Sequence, residues 1–238
     1  MQAQGVPWKE ELGSHPLHSI LNKNKNSGVV SKLYTFIITA SHKPLPLQTV
    51  WKRDMGQSAD LNWDTIWSNV RLSSRNSNHQ FIHYKFIHRF YYTPRKLHQM
   101  KCRDNSFCGF CPDNITGTYM HMTWDCPEVN RFWWKVTGIL STLMDKTIPC
   151  SQPLLLLNDT STIKLSINDR RILLAGLTAA KKLIVCRWKP PHLLSVKEWL
   201  RSYREIAQLE LSTSRLRHVN SENILYWTNL LEKINCLI

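Results

Sequence analysis

The sequence predicts a mainly α-helical protein: an irregular helical region around a small Cys/His knuckle, followed by a C-terminal helical bundle. Three observations carry this expectation. Apolar residues recur at helical spacing in most segments, and several segments open on capping residues. Glycine is scarce, at 8 of 238 residues, whereas a β-sandwich or barrel draws heavily on turn glycine. Four metal-ligating residues stand in the spacing C-x2-C-x9-H-x4-C between two helical stretches.

Residues 1–30 read as a flexible tail or linker, with Gly5, Pro7, Gly13 and Pro16 ahead of a polar run from Asn22 to Gly28. A helical region over 31–148 follows, containing the knuckle at 102–127, and a C-terminal helical region occupies 149–238. Val29 to Ser41 has a helical face of Val30, Leu33, Tyr34 and Ile37, ended by Pro44 and Pro46. Trp63, Ile66, Trp67 and Val70 predict the next helix, which Asn62 can cap, with Asp64 and Asp54 as nearby first-turn acids. His79 to Tyr92 is amphipathic. Ile82, Phe86, Ile87 and Phe90 form its apolar stripe, Lys85, His88 and Arg89 sit off it, and Pro94 closes it before a short helix to Met100.

Pro127 suits the first turn of a helix that carries Val129, Phe132, Trp133, Val136, Ile139, Leu140 and Leu143 inward. Thr147 to Thr162 reads as irregular, with Leu154–Leu157 as a short strand. Ser166-x-x-Asp169 is a capping-box-like start to a helix reaching about Trp188, stopped by Pro190-Pro191. Ser195-x-x-Glu198 opens the next, with Trp199, Tyr203, Ile206 and Leu209 apolar. Ser221 to Ile234 makes the last, on Ile224, Trp227, Leu230, Leu231 and Ile234.

Composition narrows the function classes. Hydrophobic residues make up 42% of the chain and ten are tryptophan, which disordered tails rarely carry. The 31 Lys+Arg against 17 Asp+Glu give a formal charge of +14, favouring polyanionic partners through long-range attraction and counterion release. Seven cysteines is an odd number. Met1 to Trp8 holds no apolar stretch resembling a signal peptide, and no segment approaches the roughly 20 apolar residues of a membrane span. The expectation is an intracellular protein, nuclear or cytoplasmic, with reduced thiols and no membrane partner.

In that setting Cys108, Cys111, His121 and Cys126 read as the ligands of one zinc ion. Two cysteines two residues apart hold one edge of the metal, and His121 with Cys126 close a tetrahedron from the other side. Zinc accepts soft sulfur and imidazole nitrogen together, and four protein ligands leave no open position, so the site reads as structural. Such sites contribute ~10–16 kcal/mol of apparent binding energy in zinc-finger peptides, which becomes folding energy. Gly109 is expected to relax the turn between the first pair, and the Pro127 helix N-terminus to favour thiolate charge. Cys102 is an alternative to Cys108, ranked lower because it lacks a partner at the same spacing. Cys150, Cys186 and Cys236 read as packed thiols. His79, His83, His98 and His218 read as surface or core residues, not ligands.

The stretch Gly117-Thr118-Tyr119-Met120-His121-Met122-Thr123-Trp124-Asp125-Cys126-Pro127, followed by Phe132-Trp133, resembles the C-terminal zinc-binding region of reverse transcriptases from LINE-type (L1-like, non-LTR) retrotransposons. Gln80 to Pro94 is similar to the helix preceding the knuckle in L1-like elements, especially those of fishes. Pro153 to Asp159, Gly176 to Lys182 and Arg187-Trp188-Lys189 are similar to the tail of the same reading frame. The resemblance spans roughly residues 30 to 205. It implies a segment that binds template RNA or target DNA beside a polymerase. The polymerase itself is expected to be absent: there is no Tyr-x-Asp-Asp and no Asp-Asp pair, and two-metal phosphoryl transfer needs clustered carboxylates. No Ser/His/Asp or Cys/His nucleophile arrangement and no Gly-rich phosphate loop stands out. No catalytic residues are therefore expected.

For nucleic-acid contact the sequence offers Lys85, Arg89, Arg95 and Lys96 along and after the aromatic helix, Lys101 and Arg103 leading into the knuckle, and Arg131 and Lys135 beyond it. Tyr84, Tyr91 and Tyr92 interleave with them. Each tyrosine is read first as a core residue and second as a stacking surface for bases. Lys181-Lys182 and Arg187-Lys189 form a second basic group at a helix C-terminus. The expected function is thus binding of RNA or single-stranded DNA by a non-catalytic module with one structural zinc. The alternatives are a helical scaffold, whose part from Ser166 onward binds another protein such as the polymerase portion of a retrotransposon polyprotein, and an inert fragment of that polyprotein.

Overall fold

The computed structural model describes residues 31, 33–34, 46–56, 59–186, 194–217 and 221–238. The chain divides into two compact units, Met1–Trp51 and Lys52–Ile238. In the first, Ser31, Leu33 and Tyr34 have helical backbone. The tail expected over 1–30, and the Arg187-Lys189 group with the Pro190-Pro191 stop, lie outside the described residues, as does His218.

The described helices are α1 (Pro46–Met55), α2 (Trp63–Leu72), α3 (Ser77–Ile87), α4 (Pro94–Gln99), a π-helical turn (His121–Asp125), α5 (Pro127–Met144), α6 (Gln152–Leu157), α7 (Ile167–Cys186), α8 (Val196–Leu216) and α9 (Ser221–Asn235). Among the described residues there is no named strand, and β pairing is limited to the bridge between Phe107 and Thr116. The fold is mainly helical, as expected. No described helix is long and apolar enough to cross a membrane.

The caps read from the sequence are present. Thr65 N–H donates to Asn62 Oδ1 at 2.9 Å at the head of α2. Glu198 N–H donates to Ser195 Oγ at 3.5 Å at the head of α8. Ser166 Oγ accepts from the Asp169 amide and donates to the Asp169 carboxylate, closing the start of α7. Three readings are corrected. Pro46 opens α1 and does not end a helix, because proline at a first helical position loses no internal bond. Leu154–Leu157 is helix, not strand. All four leucines are buried, and a short apolar run gives no periodicity to tell the two apart. Asp54 lies in the last turn of α1, not in the first turn of α2.

Helix α7 forms the centre of the second unit. Ile172 through Ala180 are all buried, on every side of the helix, as expected of a core helix enclosed by neighbours. It packs on α3, α5, α8 and α9. Gly176 marks its closest crossing: a Cβ there would lie 2.8 Å from Leu140 Cδ2 and 3.2 Å from the Tyr203 ring. Trp199 Nε1–H donates to the Gly176 carbonyl at 3.0 Å, and Tyr203 O–H to that of Ile172 at 2.9 Å, so α8 grips α7 by its backbone. Leu209, read as inward, is 47% exposed, and Glu210 takes the inward place. Its carboxylate accepts from Ser74 Oγ–H at 2.5 Å and from the Arg75 amide at 2.8 Å, binding the α2–α3 turn to α8.

Lys181 on α7 is fully buried, against its reading as part of a surface basic group. Its Nζ donates to Asn158 Oδ1 at 2.6 Å and lies 3.0 Å from His83 Nδ1. His79 and His83 are core residues, while His98 is exposed. Cys186 and Cys236 are exposed and Cys150 is half-buried, so these thiols are not packed in the core as expected.

Candidate metal centre

Local hydrogen bonds fold the knuckle before any metal is considered. The Cys108 amide donates to the Ile115 carbonyl at 2.8 Å and the Gly117 amide to that of Ser106 at 2.7 Å, closing a short loop that carries Cys108 and Cys111. The loop's left-handed residue is Asn114, at φ 52°. Gly109 has neither a positive φ nor any atom within 4 Å of a Cβ position, so its expected role in relaxing the turn is not needed. Gly117 is the constrained glycine: a Cβ there would sit 2.7 Å from Pro94 Cγ.

The second ligand pair depends on the π-helical turn. The Cys126 amide donates to the His121 carbonyl at 3.0 Å. This i to i+5 bond stacks His121 over Cys126, where ordinary α-helical turns would splay them. The turn is tied on both sides. Tyr119 O–H donates to the Phe86 carbonyl of α3 at 2.7 Å, and Trp133 Nε1–H of α5 donates to the Thr123 carbonyl at 2.9 Å.

These pieces bring Cys108, Cys111, His121 and Cys126 together, all buried, with their ligand atoms within 4.8 Å of one another. Cys108 Sγ lies 3.9 Å from Cys126 Sγ, and Cys111 Sγ lies 3.4 Å from His121 Nε2. A tetrahedron with metal–sulfur bonds of about 2.3 Å and metal–nitrogen bonds of about 2.0 Å has edges of about 3.8 Å and 3.5 Å. The four residues can therefore hold a metal ion with little rearrangement. Cys102 is exposed and outside the cluster.

The electrostatics favour the thiolate at Cys108 and oppose it at Cys111 and Cys126. Sharing a proton with Cys126 lowers the Cys108 thiol to about 5, aided by the amides of Phe110 and Cys111. The same sharing, with burial, raises Cys126, while the amides of Glu128 and Val129 at the start of α5 act to lower it. That is the helix N-terminus effect expected from Pro127. Burial raises Cys111.

The basic residues fall into separate places. Arg89, Arg95 and Lys96 line one cleft of about 470 Å³, together with Arg53, Asp54, Tyr119 and Met120. Arg89 ends α3 in a left-handed conformation, φ 55°, and its guanidinium meets the Asp54 carboxylate at 2.5 Å. Burial raises the Asp54 carboxyl, but hydrogen bonds from Arg53 and Arg89 outweigh it, and its pKa is held below the ordinary value. Lys101 and Lys135 are exposed and Arg103 is half-buried. Arg131 pairs with Glu128 at 2.7 Å. Lys85 sits 4.3 Å over the Phe81 ring. Arg53 was not singled out from the sequence, because it reaches the cleft only through the fold. The stretch from Thr65 to Arg103, with eight Lys or Arg and no Asp or Glu, begins after Arg53 and gave no signal for it.

The tyrosines are corrected in part. Tyr84 and Tyr92 are exposed and Tyr91 is half-buried, so only Tyr91 approaches the core reading. Neither protein-family models nor curated proteins give a match to this chain.

Proposed function

We propose that this chain is a non-catalytic module that binds RNA or single-stranded DNA and is organised by one structural zinc ion, in the manner of the C-terminal segment of a LINE-type reverse transcriptase. One observation carries the reading: the segment that delivers the ligand His121 also builds a wall of the basic cleft, through Thr118, Tyr119 and Met120. Zinc is the metal that best fits three sulfurs and one imidazole at tetrahedral edges, with every position taken by protein. Ordering of that segment by zinc then orders the cleft. Arg53, Arg89, Arg95 and Lys96 supply cations for phosphate oxygens, and the net charge of +14 adds long-range attraction. The scattered carboxylates of the sequence offer no cluster for two-metal chemistry, which supports the non-catalytic reading.

The test is fluorescence anisotropy with labelled RNA and single-stranded DNA across a salt series, before and after chelation and with Cys111→Ser. Affinity should fall steeply with salt, and fall again on loss of the metal. Binding indifferent to both salt and zinc would sink the reading.

A further inference from the structure

Helix α3 is apolar on two opposite sides. Its inner side buries His79, His83, Phe86 and Ile87. Its outer side carries Phe81, Tyr84 and, at its end, His88, residues at i, i+3 and i+7 that share one face. Phe81 is 51% exposed and Tyr84 38%. A helix with apolar residues all round is ordinarily enclosed by protein, yet this side faces solvent.

The outer rings form a continuous run. Phe81 lies 6.2 Å from Tyr84 at 13° between planes, and Tyr84 lies 4.3 Å from His88. The left-handed turn at Arg89 sends the chain back, with the Phe90 amide donating to the Lys85 carbonyl at 2.9 Å. Phe90, 56% exposed, thereby stacks on His88 at 5.3 Å and 18°. Trp67 of α2 extends the run, 5.6 Å from His88. The left-handed helix-end position that Arg89 takes is usually filled by glycine, which alone adopts it without strain. The backbone accepts it while Phe90 goes to the aromatic run and the Arg89 guanidinium goes to the cleft.

Resting on the nucleic-acid reading above and narrowing it, we propose that Phe81, Tyr84, His88 and Phe90 form a stacking platform for unpaired bases of a single strand. Base faces are hidden in a duplex and open in a single strand, where aromatic side chains stack on them without regard to sequence. The charge around the run suits that occupant. The Lys85 ammonium sits over Phe81, and the surrounding stretch from Thr65 to Arg103 contains no carboxylate. Phosphates between stacked bases therefore meet Lys85, while the nearest acids in sequence, Asp64 before the stretch and Asp104 after it, lie outside it.

The experiment compares the zinc-loaded full chain with Phe81→Ser/Phe90→Ser and with Phe81→Leu/Phe90→Leu, which keeps apolar bulk but removes the rings. Anisotropy is read with a 20-nucleotide single strand and with a duplex of the same sequence, alongside zinc content and melting temperature as folding controls. Both variants should bind the single strand about tenfold more weakly, while duplex affinity stays unchanged. Single-strand binding equal to that of the unmodified chain overturns the platform, as does parallel loss of duplex binding with folding intact. If the unmodified chain binds neither nucleic acid, the parent reading fails first and the platform with it. If the serine variant misfolds, the leucine variant decides.

Discussion

The backbone of Gly117 rests on the ring of Pro94, with its α-hydrogen position only 2.7 Å from Pro94 Cγ if occupied by carbon. The contact joins the knuckle to the start of α4, and the Arg95 amide reinforces it by donating to the Gly117 carbonyl at 3.2 Å. A proline ring cannot swing aside as a flexible side chain would. Gly117→Ala should therefore lower stability by about 1–3 kcal/mol, seen as a drop in denaturation midpoint. Metal content should persist, because none of the four ligands is touched.

Thiol reactivity should sort the cysteines by their placement. Cys102, Cys186 and Cys236 are exposed, whereas Cys108, Cys111 and Cys126 are buried in the cluster. With zinc bound, an alkylating reagent followed by peptide mass spectrometry should label the first three rapidly and spare the others. Chelation should release the second set to labelling and lower the melting temperature together. Equal labelling of all six in the metal-loaded chain would contradict a closed metal centre.

Lys181 predicts an unusual pH dependence. Burial holds its pKa well below the ordinary lysine value, although Nζ also lies 5.2 Å from the Phe86 ring, a contact that favours the cation. The unfolded chain keeps a lysine pKa near 10.4. Between the two values the unfolded state binds one more proton, so this group's contribution to stability rises with pH and is largest above about pH 10. His83, the titratable neighbour at 3.0 Å, is itself held neutral by burial. Taken from pH 7 to 10, the denaturation midpoint of the unmodified chain should rise steadily with pH relative to that of Lys181→Met. Parallel curves would show that Lys181 is charged in the folded protein.

The turn between α2 and α3 hangs on Glu210. Glu210→Ala leaves the half-buried Arg75 amide without its acceptor and the buried Ser74 hydroxyl with only His79 Nδ1, 3.2 Å away. The loss should be about 1–3 kcal/mol, measurable by chemical denaturation, with metal content unaffected.

The sequence made the metal cluster legible because its four ligands lie within 19 residues of one another, and CxxC geometry is local. The caps at Asn62, Ser166 and Ser195 were legible for the same reason. Long-range placement was not. Periodicity marks apolar faces without saying which one turns inward, so α3, apolar on two sides, concealed the exposure of Tyr84. Phe90 fell off the predicted stripe because Arg89 breaks the helix in a conformation that arginine seldom adopts. Lys181 looked like a surface cation because lysine is almost never fully buried. Only the side-chain acceptor on Asn158, brought across from the end of α6, reveals where its ammonium goes.

The π-helical turn acts as a ruler. Its i to i+5 bond fixes the distance along the chain from His121 to Cys126, so one residue added or removed there rotates one ligand off the metal. The stretch from Pro112 to Asn114 is exposed throughout and lies inside the loop that the Ile115 and Thr116 backbone closes, so it can lengthen or shorten while its ends still meet. The spacing C-x2-C-x9-H-x4-C thus contains two rigid numbers and one elastic one. A search for chains built the same way should hold the first and last intervals fixed and let the middle one vary.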